Sequence, residues 1–164
     1  MRQQLIQNAV YYATEDVRVE VGIKACCPNS CMFDRYVQIC SRENVLLHHS
    51  EWYQFFHKQD KFLLDFYKAK GRFEGIHRNN IKILFGTMMT EREIIFINEA
   101  TDNWVVINEE AFKNILKLRE CIDYHLQWLN PRIEVVEHYL STGTPRKIVK
   151  YPRLLMEMEH FYKN

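Results

Sequence analysis

Apolar side chains in this chain fall into alternating runs and into stripes spaced by three and four, and the order of the two recurs. Val17, Val19, Val21 and Ile23 alternate with Arg18, Glu20 and Lys24. That period of two predicts a strand with one buried face. Val10, Tyr11 and Tyr12 before it suggest a first strand or a short helix. Phe33–Cys40 predicts a second strand, with Tyr36 and Gln38 opposite Val37 and Ile39, and Asn44–Leu47 a short third. Ser50 is placed to cap a helix, and Glu51 suits its positive first turn. Trp52, Phe55, Phe56, Phe62 and Phe66 give that helix an apolar stripe as far as about Tyr67 or Lys68, with a polar gap at Gln59.

The same order then begins again. Ile81, Ile83 and Phe85 alternate with Lys82 and Leu84, Thr90–Arg92 reads as a hairpin turn, and Glu93–Asn98 and Trp104–Ile107 read as further strands. Asn108 caps a second helix that buries Phe112, Ile115, Leu116, Ile122, Leu126 and Leu129. Between residues 45–62 and 105–122, an offset of sixty, seven positions are apolar in both copies: 45, 46, 47, 52, 55, 56 and 62 against 105, 106, 107, 112, 115, 116 and 122, and within that stretch only Val45 and Val105 are identical. A fixed period decides architecture before other signals do. The expected fold class is therefore α+β: two tandem antiparallel-sheet-plus-helix repeats forming an internal pseudo-dimer, with a C-terminal helical extension. The expected divisions are a first repeat at 1–68, a basic connector at 69–80, a second repeat at 81–130 and the extension at 131–164. Pro131 ends the second helix or opens the next. Ile133–Leu140 predicts a short helix, 146–153 a basic strip, and Leu154–Tyr162 a last helix docked on the chain itself or on a second copy.

Composition narrows the function classes. The chain has 164 residues, 47% of them hydrophobic and 13% aromatic, enough for a folded core and too much for disorder. With 22 basic and 21 acidic residues the net charge is +1, so any nucleic-acid surface must be local. No apolar run approaches a membrane span and the first residues lack a secretory pattern, so the chain reads as intracellular, in nucleus or cytoplasm, with no membrane partner. Five cysteines, three of them at Cys26, Cys27 and Cys31, read as thiols in a reducing compartment. They lack the second cluster of a regular zinc site, and His48 and His49 would complete one only through the fold. No metal and no cofactor are expected.

Leu46-Leu47-His48-His49-Ser50-Glu51-Trp52-Tyr53-Gln54-Phe55 resembles the strand, cap, acidic residue and tryptophan that open the helix in single-stranded-DNA-binding transcriptional coactivators of the positive cofactor four family and the related whirly fold. Arg35-Tyr36-Val37-Gln38-Ile39 is similar to the family's strand carrying a basic-aromatic pair. The second copy keeps the apolar frame, with Phe112 in the tryptophan's place. The resemblance spans about residues 17–126. It implies a curved antiparallel sheet followed by one helix, pairing through the helices, and binding of single-stranded DNA. The chain departs from the family in lacking a glycine- and lysine-rich stretch before the last strand of either repeat.

Single-strand binding needs cations along the phosphate path and aromatic faces for stacking. The candidates are Arg18, Lys24, Arg35, Tyr36, Lys82, Arg92 and Trp104 on or beside the strands, with Lys68, Lys70, Arg72 and Arg78 in the connector. The first repeat and the connector are expected to carry most of the binding. The expected function is thus a non-enzymatic protein that binds single-stranded DNA or RNA, in transcription or replication, with a transcription or replication protein as a further partner. Homodimerisation through the C-terminal third stays open. An alternative is an adaptor that binds a protein through a sheet edge or its tail. A further alternative is a cysteine/histidine enzyme pairing His48 or His49 with Cys26, Cys27, Cys31 or Cys40, although no phosphate loop, nucleophile elbow or HExxH motif occurs.

Overall fold

The computed structural model describes residues 5–27, 32–142 and 151–163. The fold is α+β. β1 (Ile6–Tyr12), β2 (Arg18–Ala25), β3 (Phe33–Cys40) and β4 (Asn44–His48) form one antiparallel sheet in sequence order. β5 (Ile76–Arg78), β6 (Ile81–Met88), β7 (Glu91–Asn98) and β8 (Asn103–Asn108) form a second sheet in the same way. After the first sheet come α1 (His49–Tyr53), a π-helical segment at Gln54–Lys58 and α2 (Asp60–Lys68). After the second comes α3 (Glu109–Thr142), and α4 (Pro152–Lys163) closes the described chain.

Each sheet has four strands where the sequence pattern gives a unit of three. At Val10–Tyr12 the structure has the strand rather than the short helix, and β1 begins as early as Ile6 across a break in alternation: the pairing with β2 slips between Ile6 and Ala9, and Gln7 sits at φ 54°. That bulge presses onto Gly22, where a Cβ would come within 2.7 Å of the Leu5 Cβ and 2.8 Å of the Ile6 carbonyl oxygen. Only glycine fits so close an approach. β5 hides because it is three residues long, inside what reads as a connector. The hairpin joining β6 to β7 turns at Met89 and Thr90, both at positive φ, the mirror-image geometry that suits two-residue hairpins. Glu91 and Arg92, expected in that turn, belong to β7.

The helices also differ from the pattern. β4 runs one residue past the expected end, so His48 rather than Ser50 is the N-cap. The His48 ring accepts from the Ser50 N–H at 3.3 Å, and the Glu51 carboxylate accepts from the His48 N–H at 2.9 Å. These two bonds make a reciprocal capping box. The π-helical segment breaks the single helix expected from 50 to 68. Leu63, Phe66 and Tyr67 are buried beyond it, and Phe62 lies 43% exposed. Asn108 caps α3 as expected, its side-chain oxygen accepting from the Ala111 N–H at 2.9 Å. α3 does not stop at Pro131 but runs through it. An interior proline forfeits a helical hydrogen bond. Here the Arg132 guanidinium braces the turn, donating to the Trp128 carbonyl at 2.8 Å and lying over the indole ring.

The helices cross over between the sheets. α3, which follows the second sheet, packs on β1, β2 and β3 of the first. Its residues meet that sheet through Tyr11 OH to the Cys121 carbonyl, Asn114 Nδ2 to the Ala13 carbonyl, and the Phe33 N–H to Glu137. α2, which follows the first sheet, packs on β7 of the second, and Phe66 meets Phe85 at 4.5 Å between ring centroids. Where the layers meet, Phe56 stacks on Trp52, Phe96 and Phe112, at 4.4, 5.8 and 5.3 Å. All four rings are at most 1% exposed. Full burial of each such ring contributes on the order of 2–3 kcal/mol, and each aromatic pair about 1 more. Asn98 adds a buried polar tie between the sheets, donating to the Leu46 carbonyl at 3.0 Å. α4 docks on the chain itself: Leu154 and Met158 are fully buried, and Glu157 accepts from the backbone and side-chain N–H groups of Gln7. The basic strip at 146–150 lies outside the described residues.

Candidate functional site

Strand register sorts the candidate residues by face. On the first sheet the helix-facing side carries Val19, Val21 and Ile23 of β2, which pair with Ile39, Val37 and Arg35 of β3. Arg35 therefore faces the helices. It donates to the Leu126 carbonyl of α3 at 3.3 Å and lies 3.4 Å from the His49 ring. Tyr36, the next residue, points the other way, because successive strand side chains alternate. The expected basic-aromatic pair is thus split between two faces. On the outer face Arg18 is paired with Glu20 at 2.9 Å, and Lys24 is half-buried, which pushes its amine below the ordinary lysine range. Burial raises the Tyr36 hydroxyl to about 12, helped by the charges of Cys26, Asp34 and Glu51 and a hydrogen bond with Cys26. Gln38, Cys40 and Leu46 share this outer face and are buried. On β3 and β4 the first sheet offers no open platform there; at its β1 edge Val10 and Tyr12 share this face and are exposed.

The second sheet differs. Its inner face buries Ile81, Ile83, Ile94, Phe96, Val105 and Ile107. Its outer face leaves Leu84, Ile95, Ile97 and Val106 only half-buried, and Trp104 is 49% exposed. Pairing places His77, Lys82, Ile97 and Trp104 side by side in one row across all four strands. Lys82 is exposed, and His77 meets Glu99 at 2.8 Å. Beside Trp104, Ile95 and Val106 a groove of about 470 Å³ is closed on its far side by Asp16 and Arg42 from turns of the first sheet.

The remaining cations do not join this row. Arg92 lies on the inner face, its guanidinium over the Phe66 ring and donating to the Phe66 and Gly71 carbonyls at 3.0 and 3.2 Å. It fastens the end of α2 to the connector. Lys68, Lys70 and Arg72 are exposed on the stretch that Phe73 anchors to Phe62, Phe66 and Phe85, on the helical side. Arg78 is exposed on the edge strand, in register with Ile81 of the inner face. Of the residues singled out by sequence, Lys82 and Trp104 are brought together on one open surface.

A second cluster lies at the opposite end of the first sheet's outer face. Asp34 of β3, His48 at the end of β4 and His49 at the start of α1 hold potential ligand atoms within 4.8 Å of one another. His48 Nε2 is 2.6 Å from Asp34 Oδ2, and His49 Nε2 is 3.4 Å from Asp34 Oδ1. The Ser50 hydroxyl is 2.6 Å from His48 Nδ1, and the Tyr36 ring meets the His48 ring edge-on at 5.5 Å. Burial pushes the Asp34 carboxyl up, but hydrogen bonds from His48 and the Arg35 N–H, with the charges of both histidines, hold it below its ordinary range. Burial, and then the Arg35 charge, push His49 down. The Ser50–His48–Asp34 chain has the order of a nucleophile, base and orienter. The same bonds are accounted for by the helix cap, since Ser50 also donates its backbone N–H to His48. The Cys26 thiol meets the Tyr36 hydroxyl, and the buried Cys40 thiol points to the Gln38 carbonyl at 3.9 Å. Cys31 lies outside the described residues.

The sequence reading missed Asp34 and the apolar outer face of the second sheet. Asp34 becomes visible only through the β3–β4 register. The apolar face had a signal in Ile94-Ile95-Phe96-Ile97, a continuous run that marks a strand apolar on both faces. No protein-family model matches the chain, and neither the curated proteins nor the solved structures contain a match to it. No helix among the described residues is long and apolar enough to cross a membrane.

Proposed function

We propose that this is a non-enzymatic regulatory protein that binds single-stranded nucleic acid on the outer face of its second sheet. The observation that carries the reading is the cross-strand row of Lys82, Ile97 and Trp104 on a face that no other element covers fully. An exposed indole provides a stacking surface for a base, and a lysine two strands away is placed to meet the backbone phosphate. The finer architectural reading goes with it. The two sheet-plus-helix units form an internal pseudo-dimer, supported by their like strand order and by the exchange of helices between sheets. The order of four antiparallel strands and a helix, used twice, also supports the resemblance to the coactivator and whirly folds. The proposed contact moves from the first unit, where the sequence placed it, to the second, because Arg18 is paired with Glu20, Lys24 is half-buried and Arg35 faces the helices.

Fluorescence anisotropy with labelled single-stranded oligonucleotides tests the reading. Binding is expected at ~50 mM salt, where phosphate contacts are strong, and it should weaken as salt rises. No binding at that salt would sink it. One observation favours a second reading, in which the ligand is a protein segment. Asp16, Glu43 and Glu93 line the groove beside Trp104 and would repel phosphate. Recovery of a partner that survives nuclease treatment would favour that reading.

A further inference from the structure

We propose that Asp34, His48 and His49 form a three-ligand site for a divalent transition metal of the zinc class. The site is separate from the surface proposed for nucleic acid, so each proposal can fail without the other.

The argument begins with spacing. Zinc bonds nitrogen and carboxylate oxygen at about 2.0–2.1 Å, so tetrahedral ligands lie about 3.3 Å apart. The 2.6 and 3.4 Å separations of His48 Nε2 and His49 Nε2 from the two Asp34 oxygens bracket that value. Small side-chain rotations would open the space for an ion. The backbone holds the donors in place. β3 and β4 are paired through this region, Tyr36 facing His48, and Asp34 lies two residues before Tyr36 on the same face. His49 follows directly as the first residue of α1.

The surroundings have the character of a supporting shell. A ligating histidine usually gives its other ring nitrogen a hydrogen-bond partner, which fixes the ring orientation. With His48 Nε2 on the metal, Nδ1 would carry the ring proton and donate to the Ser50 hydroxyl 2.6 Å away, giving up the capping bond it accepts from the Ser50 N–H. The Arg35 N–H donates to Asp34 Oδ1 at 2.8 Å and steadies the carboxylate. Two imidazoles and one carboxylate suit zinc and neighbouring metals, whereas calcium and magnesium favour all-oxygen sites. The side chains are about one-third exposed, 32% for His48, 30% for His49 and 31% for Asp34, which leaves a fourth position facing solvent. The Arg35 guanidinium lies 3.4 Å from both His49 ring nitrogens, the proposed ligand atom Nε2 among them, and would have to swing aside for an ion to bind, so the affinity should fall below that of a closed four-ligand site.

The test is a cobalt(II) titration of the full chain after chelator treatment, with zinc stoichiometry from elemental analysis. One zinc per chain is expected, together with tetrahedral cobalt absorption in the visible that zinc displaces. Asp34→Asn and His49→Gln should each lower the affinity about tenfold or more, and His77→Gln, a histidine elsewhere on the surface, should leave it unchanged. His49→Gln retains the His48 cap and carries the test if Asp34→Asn does not fold. A substoichiometric metal content, no tetrahedral band, or unchanged affinity in His49→Gln would overturn the site. An intense near-ultraviolet thiolate band would also overturn it, because cysteines would then hold the metal in place of these three residues.

Discussion

The outer face of the first sheet buries Gln38, Cys40 and Leu46 along β3 and β4, ties Arg18 to Glu20 and exposes Val10 and Tyr12 at its β1 edge, whereas the outer face of the second sheet leaves Leu84, Ile95, Ile97, Val106 and Trp104 partly in water across its three longer strands. The strand order is the same in both. Backbone topology therefore fixes neither what a sheet presents nor whether it is covered. The inner faces tell the opposite story. Each is covered in part by the helix that follows the other sheet and in part by its own, and Phe56, Phe96 and Phe112 form one continuous contact between them. The two sheets share a single interior and differ in what they show outside.

Phe56→Ala should have the largest effect on that comparison. It removes a fully buried ring stacked on three others, and should destabilise the chain by about 3–5 kcal/mol, read by thermal or denaturant unfolding. A single transition is expected. Separate melting of two halves would break the view of one shared interior. Asn98→Ala removes the buried tie to the Leu46 carbonyl and should cost about 1–3 kcal/mol. A smaller change would mean that solvent replaces that bond.

The outer faces are compared by binding. Trp104→Ala should weaken single-stranded oligonucleotide binding by about 1–3 kcal/mol, while stability changes by only about 0.5. Tyr12→Ala, 72% exposed on the first sheet, should leave binding unchanged. Equal losses in both would return the first sheet to the interface. Lys82→Ala should reduce the salt slope of binding by about 1.

The smallest effect expected is on pH dependence. His125 of α3 bonds the Gln7 carbonyl at 3.1 Å; burial and the charges of Arg132 and Arg153 lower its pKa, outweighing that bond, and Glu157 faces Gln7 from α4. The unfolded chain then binds the proton more readily than the folded one. Stability is full above about 6.5 and should fall as the pH drops through the folded value. His125→Gln should flatten that part of the stability curve, and an unchanged curve would show that the ring does not report the docking of α3 on β1.

Much of the inside was legible in the sequence. Val19, Val21, Ile23, Ile81, Ile83 and Phe112 are buried where alternation and helical spacing place them, and Asn108 caps the helix it was expected to cap. The exterior was much less so. Arg35 and Tyr36 read as a pair because they are neighbours in sequence, but neighbours on a strand face apart. Arg92 reads as a surface cation and instead clamps Phe66 and the connector, since nothing local shows that α2 lies above it. Asp34 carried no motif at all.

By itself the sequence determined the α+β class and most of the buried positions on the longer strands and helices, because these follow from periods of two and about 3.6 set by backbone geometry. The tertiary structure alone decided which helix covers which sheet, which outer face stays open, and that Asp34, His48 and His49 meet. Those outcomes depend on strand register and on contacts between residues far apart in the chain, and a local pattern of polar and apolar residues does not record either.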